Sequence, residues 1–112
     1  MNDLWSEIYS RLKLLDVALR EVSARGQLYA QAESDYHSAL ASEMLRLKAD
    51  GTPATMVRDV AIGTEKVARL RLDRDCKEAL YKAAVEALQV YKLQIRVLEN
   101  QLQREWTNYG TN

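Results

Sequence analysis

The chain has 112 residues, room for one domain, and its 47% hydrophobic and 29% charged content fits neither a disordered chain nor a membrane span. Its 16 Lys and Arg residues are balanced by 16 Asp and Glu residues, so the positive surplus typical of a protein that wraps nucleic acid is absent, although a local basic face stays open. The single cysteine, Cys76, rules out an internal disulfide and suits a reducing compartment.

The amino terminus, Met1-Asn2-Asp3-Leu4-Trp5, lacks the basic and apolar regions of a signal peptide. No apolar run approaches the ~20 residues that a membrane-spanning helix needs. A soluble, cytoplasmic protein with no membrane partner is the expectation.

The spacing predicts a first helix over residues 3–49. Its apolar seam runs Trp5, Ile8, Leu12, Leu15, Leu19 and Val22, weakens through Gly26, Tyr29, Glu33 and Tyr36, and resumes at Leu40, Met44 and Leu47. Asn2 or Asp3 is placed to cap its start, and Gly51 to end it in the left-handed conformation. Gly26 costs about 1 kcal/mol relative to alanine, which points to a kink or to close approach by a partner helix.

Asp50-Gly51-Thr52-Pro53 is a dense breaker, after which Thr52 as cap and Pro53 in the first turn predict a short helix over 53–62. Gly63 closes it. Thr64 and Glu65 then open a third helix over 64–107, with the acid at the positive end of the dipole. Residues 108–112 are expected to fray.

The main stripe of the third helix is Val67, Leu70, Tyr81, Ala84, Leu88, Tyr91, Ile95, Leu98, Leu102 and Trp106, with Val90, Leu93 and Val97 beside it. A helix of about 45 residues is roughly 70 Å long, whereas a compact globule of this chain length has a radius of gyration of about 13 Å. The expected fold is therefore all-α: a long antiparallel, coiled-coil-like hairpin, one domain over residues 1–112, with the short helix at its connecting tip. Two helices bury one narrow stripe each, and the arc around Leu88, Val90, Tyr91, Leu93, Ile95, Val97, Leu98, Leu102 and Trp106 is wider than that. Leu14 and Val17 broaden the first helix in the same way. That excess predicts an oligomeric bundle of several copies, with these residues at the interface.

Candidate chemistry is sparse. His37, the one histidine, lies four residues after Glu33, but two ligands fall short of a metal site, and a solvated pair is the expectation. Cys76 lies among Asp73 and Asp75, a setting that does not activate a thiol, and reads as a small packing residue. No catalytic, metal or cofactor constellation is apparent. The richest polar segment holds Arg58, Thr64, Lys66, Arg69, Arg71 and Arg74 around the backbone N–H groups that follow Gly63. That combination suits an anion, a nucleic-acid phosphate or an acidic ligand held between subunits. Asp59, Glu65, Asp73 and Asp75 are interleaved and favour local pairing instead.

Length and hairpin shape are similar to the small secreted helical hairpins named for a Trp-X-Gly turn, but the turn here carries no tryptophan. A closer likeness rests on Asp59-Val60-Ala61-Ile62-Gly63-Thr64-Glu65-Lys66-Val67-Ala68, Tyr91-Lys92-Leu93-Gln94-Ile95-Arg96-Val97-Leu98-Glu99 and Arg104-Glu105-Trp106. In these runs the chain resembles small helical proteins encoded by phages and prophages of Gram-positive bacteria. The resemblance implies a phage setting and brings no catalytic motif. The reading that results is a non-enzymatic, homo-oligomeric interaction module acting on a host or phage protein. A nucleic-acid-binding accessory factor is the second choice.

Overall fold

The computed structural model describes residues 3–110. It contains α1 (Asp3–Ala49), α2 (Val57–Ile62) and α3 (Glu65–Gly110), with no strand among the described residues. The two long helices pack against each other, and the short one lies between them in the sequence. Contacts divide the chain into two compact units: residues 25–81, and residues 3–24 with 82–110. We call these the closed unit and the open unit.

In the closed unit, α2 and the facing halves of α1 and α3 enclose one core. Tyr36, Leu40 and Leu47 of α1 meet Val57 and Ala61 of α2 and Val67 of α3, with Ala39, Met44, Ile62 and Leu70 packed against them. Val57 and Ala61 are four residues apart, so even this short helix turns one stripe wholly inward.

The turn between α1 and α2 explains where α2 begins. Gly51 has φ +87°, the only positive value among the described residues, as its position predicted. Its N–H bonds the Lys48 carbonyl (3.1 Å), and the Thr52 N–H bonds the Leu47 carbonyl (3.0 Å), which completes a Schellman cap. Thr52 therefore belongs to the end of α1 and does not cap α2. The Met56 N–H bonds the Pro53 carbonyl (2.9 Å) in an intervening turn, and helix begins at Val57, not at residue 53.

At the other boundary, the Ala68 N–H bonds the Thr64 carbonyl (2.9 Å), so Thr64 holds the capping position expected of it. Its hydroxyl, however, donates back to the Ala61 carbonyl (2.7 Å). The helix α3 continues beyond residue 107 to Gly110, so residues 108–110 are helical where fraying was expected. Asn2 and residues 111–112, parts of the capping and fraying expectations, lie outside the described residues.

In the open unit, α1 and α3 face each other without a third element among the described residues. Ile8, Ala18, Ala84 and Leu88 are buried there. The α1 seam advances by alternating steps of four and three through Ile8, Arg11, Leu15, Ala18 and Val22, the 3.5-residue repeat of a coiled-coil contact. It therefore passes through Arg11 and Ala18, leaving the larger Leu12 and Leu19 exposed beside it. Trp5 and Trp106, assigned to the seams from their spacing, are also exposed.

Candidate interaction surface

Two sets of side chains stand out, a polar layer inside the closed unit and an apolar flank on the open unit. The polar layer fills the gap in the α3 stripe between Leu70 and Tyr81. Arg74 lies over the Tyr36 ring, 4.6 Å from its centroid, and pairs with Asp75 at 2.8 Å. Hydrogen bonding to Asp75 raises the Arg74 pKa above its ordinary value, so the group is cationic at every physiological pH.

The Tyr29 hydroxyl donates to the Glu78 carboxylate (3.1 Å), and the Tyr29 ring stacks on Tyr81 with centroids 6.0 Å apart. Burial, then the Glu78 acceptor, raises the Tyr29 pKa, because both disfavour the phenolate. A Cβ at Gly26 would stand 3.2 Å from the Tyr81 ring, so the glycine serves close approach within an unbroken helix. Next to this layer, the Arg25 guanidinium donates to the Leu80 carbonyl (3.0 Å). These contacts make the layer a structural joint.

The basic segment is distributed over several faces. Arg69 pairs with Glu65 (2.7 Å), Lys77 with Asp73 (2.6 Å), and Arg74 turns inward. Arg58 and Arg71 are exposed, and Lys66 borders a shallow groove with Asp35, Ser38 and Leu70. Glu33 and His37 are 3.7 Å apart, the glutamate half-buried and the histidine exposed, and no three His, Cys, Asp or Glu side chains converge among the described residues. Cys76 is exposed where a packing residue was expected; Arg74 and Glu78 are half-buried on that turn of α3.

The residues assigned to an oligomer interface fall into two groups. Leu88, Tyr91, Ile95, Leu98 and Leu102 turn toward α1 and are buried or half-buried. Val90, Leu93 and Val97 point away, with 47%, 58% and 54% of their surface exposed, and Trp106 is exposed too.

One groove of about 490 Å³ is lined by Trp5, Ile8, Glu99, Leu102, Gln103 and Trp106. A second, of about 320 Å³, is lined by Glu7 and Arg11 of α1 and by Leu93, Gln94, Val97 and Leu98 of α3. The Gln94 Oε1 atom is buried without a hydrogen-bond partner. Leu14 continues the Glu7–Arg11 stripe by one more helical step, and Val90 continues the Leu93–Val97 stripe. Because the helices run antiparallel, both extend the second groove in the same direction. Together they give the open unit an apolar flank; Val17, also exposed, lies further round α1.

Fold and surface together define a class: an all-α protein of two packed long helices that carries an uncovered apolar flank. Comparison with protein-family models, with curated proteins and with solved structures found no match. No helix among the described residues is long and apolar enough to cross a membrane.

Proposed function

We propose that the chain is a non-enzymatic helical assembly module that associates with further copies of itself through the apolar flank of the open unit. One observation carries this reading: Val90, Leu93 and Val97 form an exposed aliphatic stripe on α3. Water contact with so many clustered aliphatic side chains is unfavourable, and contiguous patches of this kind mark interaction surfaces. Glu7 and Arg11 leave charges of both signs at the rim of the flank.

Sedimentation velocity tests the proposal. The native chain forms oligomers at micromolar concentration, and Leu93→Glu combined with Val97→Glu gives a helical monomer. A native chain that stays monomeric throughout that range contradicts it.

The basic segment supports nucleic-acid binding less well, because Arg69 and Arg74 are engaged in pairs with their own acidic neighbours. Salt-dependent binding of duplex DNA or RNA, lost on charge reversal of Arg71, would favour that second reading.

A further inference from the structure

The outward stripe of α3 has a symmetric arrangement. Leu93 and Val97 sit at its centre; Glu86 lies seven residues before Leu93, and Arg104 lies seven residues after Val97. All four share one face, since intervals of four, seven and eighteen residues are near-integral numbers of helical turns. Glu86 and Arg104 are both exposed.

A second α3 laid antiparallel, with its centre at residue 95, sets Leu93 against Val97 of the second copy and Glu86 against its Arg104. Two-fold symmetry repeats each contact, so acid meets base at both ends of the apolar centre.

Resting on the assembly reading above, we infer that two copies pair α3 on α3 through this stripe. A single two-fold axis passes at the level of residue 95, and the register is locked by Glu86–Arg104 pairs at both rims. The stripe between the two charges is about 27 Å long. The Gln94 Oε1 atom, without a hydrogen-bond partner among the described residues, lies beside the paired stripe.

Charge reversal followed by charge exchange tests the register. Sedimentation equilibrium of the full chain is expected to give a dimer whose dissociation constant rises about tenfold in Arg104→Glu and likewise in Glu86→Arg, since each single variant opposes like charges at both rims. The double variant Glu86→Arg with Arg104→Glu restores native affinity. A circular dichroism spectrum unchanged in all three separates a lost contact from a lost fold. If the dimer is indifferent to these exchanges yet disappears in Leu93→Glu, the register is overturned while the apolar flank stands as the interface. If the native chain is monomeric, both fall.

Discussion

In residues 25–81, three helices surround Tyr36, Leu40, Leu47, Val57, Ala61 and Val67, and every one of these side chains is buried. In residues 3–24 and 82–110, two helices face each other alone, and two of the four buried side chains are alanines. The two regions have much the same kind of sequence, long amphipathic helix against long amphipathic helix. What separates them is α2, six residues that cover the flank a pair of helices leaves open. A two-helix contact buries one stripe per helix; a third element, even a short one, turns that contact into a core. Among the described residues the open unit lacks this element; in the proposed assembly a second copy supplies it.

The sharpest way to break this contrast is truncation on each side of it. Leu40→Ala, in the closed core, is expected to lower the unfolding free energy in urea by about 3 kcal/mol. Leu93→Ala, on the exposed flank, should change it by less than about 0.5 kcal/mol at concentrations too low for association. Equal losses would mean the two units are not packed differently.

Gly51→Ala comes next, with an expected cost of about 1–2 kcal/mol, because a side chain at φ +87° is strained and the cap that releases the chain toward α2 depends on that conformation. The same denaturation experiment reads it.

A smaller effect belongs to the polar layer. The Tyr29 pKa is raised by burial and by the Glu78 acceptor, so the neutral phenol is favoured in the folded chain. The stability it contributes is complete at neutral pH and is lost as pH rises through the folded value, above the ordinary tyrosine range. NMR titration of the Tyr29 ring should show its midpoint fall in Glu78→Gln. An unmoved midpoint would remove Glu78 from the account.

Smallest of all is Gly26→Ala. The new methyl meets the Tyr81 ring at 3.2 Å, and that ring, half-buried, can yield by a few tenths of an ångström. The gain in helix propensity of about 1 kcal/mol should then leave a net stabilisation below that figure, visible as a slightly higher melting temperature.

Much of the fold was legible from the chain. The Gly51 cap and the extent of α1 follow from breaker residues and apolar spacing, local features that packing did not override. The seam was read less well. Tracing the largest apolar residues led through Leu12 and Leu19, whereas the contact follows the repeat through Arg11 and Ala18. Position on the repeat, not size, decides which side chain faces the partner helix.

The inward turn of Arg74 was missed because an arginine on a mixed-charge stretch ordinarily faces water. A signal for it did exist. The weak part of the α1 seam, Gly26 to Tyr36, and the gap in the α3 stripe, Leu70 to Tyr81, lie at similar distances from the turn. Antiparallel pairing therefore sets polar against polar. Of the candidate surface, the breadth of the apolar arc was readable. Its division into an inner half and an outer half required the angle at which α3 meets α1.

The distribution of indole rings has a practical consequence. Both tryptophans of the chain, Trp5 and Trp106, line one groove of the open unit, and the closed unit has none. Intrinsic emission excited at the indole band therefore reports on the open unit alone, without any label. The NMR ring resonances of the stacked Tyr29 and Tyr81 are a separate channel for the closed unit. The protein thus carries two native reporters, and unfolding of either unit before the other would be seen as two transitions at different denaturant concentrations.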